Sequence, residues 1–353
     1  MALSPVFVVG TGRCGSTLLS SCLSSHPDVL SLSEFVVFVT DLGGRISETF
    51  PNDPKDGEYV WSQLSGTHPR QTLMLRHNVM MDEALYRPGP GRRYTAETGI
   101  PAIAATTLLH LDPDPDRLFD ELEPYVRSLP SAPIGTQYRR IFDELAQQKK
   151  ARVWVERSGG SLRVVHRLRA HFPDARFVHI VRDGRNTAIS MSRHYGFRIA
   201  LIAAQLTEIL GIDPYENPDR KFADDIPDDL ACYLPECFDA ERFRTESVPL
   251  PLCGHYWSGE IIAGLNELAG LPSDRLLTLR YEDILSSPKP TLSRFFEFIL
   301  QGNANGDIDA MAKTVTAPKS SWTHLPHGIR EQLVKACRPG FEALGELYAG
   351  EWT

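Results

Sequence analysis

The chain has 353 residues, with 37 Lys and Arg against 45 Asp and Glu and a formal net charge of −8. This balance argues against nucleic acid as the main partner, since binding by counterion release needs clustered basic surface, and it points to a small molecule. Residues 1–353 are long enough for one elaborated α/β domain with a large core.

In chain order, short apolar and β-branched runs at 6–9, 29–32, 152–155, 176–181 and 275–279 read as buried parallel strands. Helical patterns follow at 16–23, 161–170, 186–194 and 290–300. Repetition of strand, short turn and helix predicts a doubly wound, five-stranded parallel sheet with right-handed crossovers. Two Pro-rich, charged segments break the alternation, 41–150 and 196–255, with helical stretches at 118–129 and 198–210. They read as mostly helical insertions at the carboxyl ends of strands, where open α/β sheets bind ligands, and are expected to form an acceptor-side lid.

No apolar run is long enough to span a bilayer, and no basic and apolar leader precedes the first strand. The six cysteines (14, 22, 232, 237, 253 and 337) show neither CxxC spacing nor a paired framework, so reduced thiols in a cytoplasm are expected, with no zinc site. Arg far outnumbers Lys, a bias that suggests a bacterial source. Charge is uneven: residues 152–198 hold ten Arg against three acids, whereas 208–246 hold twelve acids against four bases. An acidic protein that binds a multiply charged anion must concentrate positive charge somewhere, and the first of these stretches is the place.

Val6-Phe-Val-Val-Gly-Thr-Gly-Arg-Cys-Gly-Ser-Thr runs from a strand through a glycine-rich turn into a helix. Glycines let the backbone wrap an anion, successive N–H groups point inward, and the helix N-terminus adds its positive end. Gly10, Gly15 and Thr17 match the phosphate-loop pattern GxxxxGK[ST], but the lysine position holds Ser16 and the loop's cation is Arg13. A nucleoside triphosphate enzyme uses that lysine on the β and γ phosphates, so the expected ligand carries a 5′-phosphate with a short extension. Further along, Arg182 closes the fourth strand and Ser190 lies eight residues on, where fork and hydroxyl can meet on one phosphate.

These features together resemble the sulfotransferase superfamily that uses 3′-phosphoadenosine 5′-phosphosulfate (PAPS). Gly12, Arg13, Cys14, Gly15, Ser16, Thr17 and Leu18 are similar to that family's 5′-phosphosulfate loop, and Arg182 with Ser190 to its 3′-phosphate motif. Tyr281 in Arg280-Tyr-Glu-Asp resembles the tyrosine beside the nucleotide, and Lys319 and Trp322 in Lys-Ser-Ser-Trp resemble a late loop that closes over it. The resemblance covers the core and not the insertions. Where the cytosolic branch has Lys, Thr and a basic His after the third strand, this chain has Arg157-Ser-Gly, and Glu34 stands just past the second strand as in the branch that includes tyrosylprotein sulfotransferases.

The resemblance implies a phosphate-loop-like sulfotransferase fold and in-line transfer of a sulfuryl group from PAPS, leaving PAP, to a hydroxyl of a small, aromatic or partly apolar acceptor, without metal. It assigns Arg13 to the bridging oxygen, the N–H groups of Gly15, Ser16 and Thr17 to the phosphosulfate, Arg157 to the transferring group, and Glu34 to the acceptor proton. Glu34 has plainer alternatives, as a surface carboxylate or as the partner of a core arginine. His77, His194 and His255 are the other candidate bases, and His26 belongs to a turn. Cys14 fills space rather than reacting, and Asp183 reads as a helix cap rather than a magnesium ligand. Two other classes stay open, a phosphate-loop kinase and a catalytically silent nucleotide-binding module.

Overall fold

The computed structural model describes residues 4–81, 83–217, 219–302, 306–317 and 321–350. Five strands, β1 (Val6–Val9), β2 (Val29–Ser33), β3 (Val153–Arg157), β4 (Arg176–Val181) and β5 (Leu276–Arg280), form one sheet in the order β2-β3-β1-β4-β5. All four pairings are parallel. The chain leaves β1, fills the β3 and β2 side, and then crosses to β4 and β5, so the topology reverses at β1. Ligand crevices form at the carboxyl end of such a strand.

β1 is buried from end to end, and its alternation divides the core. Val6 and Val8 face a cluster built with Leu19, Leu23 and Phe295, while Phe7 and Val9 face the larger cluster with Trp154, Phe172 and Phe177. Each such side chain contributes about 2 kcal/mol through burial.

Six helices position the site: α1 (Ser16–Ser24), α2 (Phe35–Val39), α3 (Gly184–Ser192), α4 (Tyr195–Leu210), α5 (Leu250–Leu268) and α6 (His327–Leu344). The helical expectations correspond to α1, to α3, to α4 with an earlier start, to Pro115–Arg127, to Val165–His171 preceded by a 3-10 turn, and to Pro288–Ile299. The third strand runs two residues beyond its expected end. Glu156 and Arg157 look like strand-breaking charges, yet Glu156 accepts from the Val36 N–H at 3.1 Å and from Ser158 Oγ, and Arg157 pairs with Glu34.

Most of segment 41–150 serves the core. Tyr138 and Phe142, one turn apart on the helix Ile134–Gln148, meet the Phe35 ring edge-on at 5.3 and 4.8 Å, and Phe142 meets Trp154 at 5.0 Å. Among the described residues of this segment, Leu42, Gly43, Met81 and Glu83 reach the cavity described below. α5 and α6 pack together beside α3, with Trp257 on Phe341 at 4.9 Å and Ser258 Oγ donating to the Ala336 carbonyl. Among the described residues, no helix is long and apolar enough to cross a membrane.

Candidate active site

The loop between β1 and α1 is held in a rare backbone conformation. Gly12, Arg13 and Gly15 have φ of 75°, 54° and 94°, and alternation of this kind turns successive N–H groups to one side. Gly15 caps α1 without any side-chain hydrogen bond, which leaves the first helical N–H groups to a ligand. Glycine is required at both positions. A Cβ on Gly15 would lie 2.1 Å from the Tyr281 ring, and one on Gly12 would lie 2.5 Å from Phe197 Cζ.

The loop lines a cavity of about 620 Å³ together with Arg182, Ser190 and Tyr281. Arg13 Nε donates to Ser190 Oγ at 3.1 Å, Arg182 Nη1 donates to the Arg13 carbonyl at 3.1 Å, and the Arg182 guanidinium lies 4.8 Å from the Tyr281 ring centre. Two arginines, a hydroxyl and an aromatic face, from three strand ends, thus meet on one wall with the loop. Ser16, Thr17 and Leu18 line the same wall. The Cys14 side chain is buried in the core on the far side of the loop, where burial raises its pKa, and Cys14 does not line the cavity.

Glu34, immediately after β2, adopts φ 57°, an uncommon backbone state for a residue with a Cβ. Its carboxylate lines the cavity and is otherwise engaged: Oε1 pairs with Arg157 Nη1, and Oε2 accepts from the Gly159 N–H at 2.9 Å. Burial raises its pKa against the lowering effect of Arg157, and the nearby Glu83 adds to the rise. Arg157, expected to face the transferring group, does not line the cavity. It is 2 % exposed and stands behind Glu34, because β3 continues through it in register with Ser33 and Val8. Glu34 is therefore both the partner of a core arginine and a wall of the cavity.

Sequence reasoning missed Glu83. Its Oε1 lies 2.5 Å from Arg13 Nη1 and its Oε2 lies 2.6 Å from His194 Nε2. The Phe197 N–H donates to His194 Nδ1 at 3.2 Å, so the neutral imidazole carries its proton on Nε2 and donates it to Glu83. Burial acts to raise the Glu83 pKa, but the hydrogen bond from His194 and the Arg13 charge act to lower it. Met-Met-Asp-Glu-Ala carries no local signature for such a role. Thr314 and Thr316, on the same cavity, were also missed.

The remaining candidates lie elsewhere. His77 packs against Phe238 at 5.0 Å, His255 is exposed on α5, and His26 accepts from the Asp28 N–H in the turn before β2. Asp183 caps α3 by accepting from the Arg185 and Asn186 N–H groups. Trp322 is tied to α3 by its N–H on Asn186 Oδ1 at 3.0 Å and lies under Arg185, but does not line the cavity. Lys319 lies outside the described residues. No cluster of three or more metal-ligating side chains occurs among the described residues.

The chain is similar in structure to a sulfotransferase domain from the curacin biosynthetic pathway, at 15 % identity and TM-score 0.44, over 95 % of this chain and 98 % of that one. It is also similar to a sulfotransferase from Mycobacterium avium, at 15 % identity and TM-score 0.43, over 99 % and 78 %. A sulfotransferase from Alicyclobacillus acidocaldarius aligns at 14 % identity and TM-score 0.39, over 98 % and 96 %. No match is found among curated protein sequences. The sequence pattern of the Sulfotransferase family matches residues 5–216, more than half of the chain, and the chain belongs to that family.

Proposed function

We propose that this protein transfers a sulfuryl group from PAPS to the hydroxyl of a small-molecule acceptor. The observation that carries this reading is the convergence of the αL-turned loop, Arg13, Arg182 and Ser190 on one cavity wall, with the Glu34 carboxylate on the same cavity. The cradle suits the donor. Ser16 replaces the lysine that a triphosphate requires, and Arg182 with Ser190 supplies a second anion site suited to a 3′-phosphate.

When bound, the donor supplies a sulfuryl group on a phosphosulfate anhydride, whose S–O bond to phosphate breaks as the bond to the acceptor oxygen forms. The N–H groups of Gly15, Ser16 and Thr17 hold the 5′-end, and Arg13 neutralises the charge that collects on the departing phosphate oxygen. Tyr281 offers its ring beside Arg182. Glu34 takes the hydroxyl proton, and its burial keeps it a stronger base than an exposed carboxylate. Arg157 acts through Glu34 as a positioning residue, fixing the orientation of the carboxylate while limiting the rise of its pKa. Among the segments read as insertions, α4 and residues 42–43 wall the acceptor side.

The test is transfer of sulfur-labelled PAPS to a panel of alcohols and phenols by the wild type and by Glu34→Gln. Label transfer by the wild type and a loss of about a hundredfold or more in the variant, with PAP affinity kept, is the expected result. Phosphoryl transfer from ATP instead, or a fully active Glu34→Gln, overturns the reading.

A further inference from the structure

Helix α4 is apolar on more than one face. Ile199, Ala203 and Leu206 are buried in the core. Phe197, Ala200, Leu201 and Ala204, at i, i+3, i+4 and i+7, form a second stripe, and this one is left partly open and lines the cavity. An apolar stripe that lines a cavity and is left partly open calls for an apolar occupant. Val37 and Leu42, both part-exposed, line the same cavity.

Contacts trace the path of this apolar arm. Phe197 touches the anion loop at Gly12 and meets the Tyr256 ring at 5.8 Å. Tyr256 lies under the Arg163 guanidinium at 5.4 Å, and Arg163 borders Gly43. The arm thus begins at the anion loop and ends at Arg163, whose side chain is 38 % exposed at the rim. That guanidinium is already paired with Glu260 at 3.3 Å and stacked on Tyr256, so it presents little unmet charge to an entering molecule. Glu34, Glu83 and Arg13 stand at the anion-loop end of the arm, Glu34 across Gly159 from Gly12 and Glu83 paired with Arg13.

We infer that the arm takes a neutral, elongated apolar alcohol, hydroxyl inward and hydrocarbon toward the rim, and that Ala200 and Ala204 set its bore. The side chains of these two residues are the smallest of the stripe and lie one turn apart, so a phenyl ring at either fills the space the hydrocarbon would use. The inference names the acceptor class of the proposed reaction and rests on that reading for the direction of the hydroxyl; the binding itself can be measured without turnover.

The experiment is calorimetric titration of the protein, with and without PAP, using 1-hexanol, 1-octanol, octanoate and glucose. The dissociation constant is expected to fall about fourfold per added methylene, or roughly 15-fold from hexanol to octanol. Octanol should bind at least about tenfold more tightly than octanoate, and glucose should not bind in the same range. Ala200→Phe and Ala204→Phe should each weaken octanol by about tenfold or more while PAP affinity, the control for folding, stays unchanged. A flat alcohol series, tighter binding of octanoate or glucose, or Phe variants that retain both PAP and octanol binding overturns the inference. If octanol binds with the expected dependence but no label passes from PAPS to any alcohol, the sulfuryl-transfer reading fails and the binding assignment stands.

Discussion

Arg13 Nη1 lies 2.5 Å from Glu83 Oε1, so the cation of the anion loop is paired with a carboxylate of the chain itself. An anion that binds to Arg13 competes with that partner. Glu83→Gln keeps an oxygen for the His194 proton but removes the competing charge, so PAP is expected to bind more tightly, by about tenfold. Calorimetry checks the sign. A purely structural role for Glu83 gives unchanged or weaker binding.

Arg182 closes β4 and faces the cavity beside Ser190 and Tyr281. If it holds the 3′-phosphate, Arg182→Ala weakens PAP by roughly 10- to 100-fold and weakens adenosine 5′-phosphate, which lacks that group, far less. Equal losses for the two nucleotides would mean that Arg182 only supports the loop through the Arg13 carbonyl.

Arg157 is inside the protein and its partner is Glu34. Arg157→Met leaves a buried carboxylate without its cation, at a cost of about 3–5 kcal/mol in urea unfolding at neutral pH. The Arg157 charge lowers the Glu34 pKa, so its loss raises that pKa further. A base acts when ionised, so activity rises with pH, and the acid limb of the rate profile moves to higher pH in Arg157→Met. Arg157→Lys, which keeps the charge, leaves the limb near its original place. A limb that ignores Arg157→Met shows that Glu34 is not the titrating base.

How much of this was legible in the sequence follows from what acts locally. The runs at 6–9 and 176–181 are bounded and apolar, and the structure places β1 and β4 over those residues. The anion loop is a contiguous pattern, and Arg182 with Ser190 sits on one strand and the next helix, so their spacing carries the geometry. Glu83 belongs to no such pattern: it meets Arg13 across 70 residues and His194 across 111. Arg157 was expected at the end of the third strand and closes β3, but only its register with β1 and β2 shows that it is buried behind Glu34. The pairing of α5 with α6 depends on a long-range contact between segments with no shared local signal, as at Ser258 and Ala336. Segment 41–150 read as an insertion because it is rich in Pro and charge; its aromatic residues Phe50, Tyr138 and Phe142 pack into the core, a contact with no local signal in the sequence.

Glu156 has its pKa raised to about 8, mainly by burial, against the lowering effect of its bonds from Ser158 and Val36. The folded state therefore holds this proton more tightly than the unfolded state, whose ordinary value is 4.5. Its contribution is fully present below pH 4.5 and is lost as pH rises through about 8. Glu156→Gln stays neutral and keeps an oxygen for both bonds. The free energy of urea unfolding should fall less steeply with pH for the variant from pH 5 to 8, the gap at pH 8 reaching on the order of a few kcal/mol. Parallel curves contradict this.

The most direct test of the account compares PAP, ADP and ATP with magnesium by calorimetric titration of the wild-type protein. Ser16 at the lysine position and the presence of Arg182 and Ser190 on the same cavity predict that PAP binds at least about tenfold more tightly than ADP, with no gain for ATP or from magnesium. Magnesium-dependent ATP binding tighter than that of PAP would contradict the assignment of the cavity to a phosphosulfate donor.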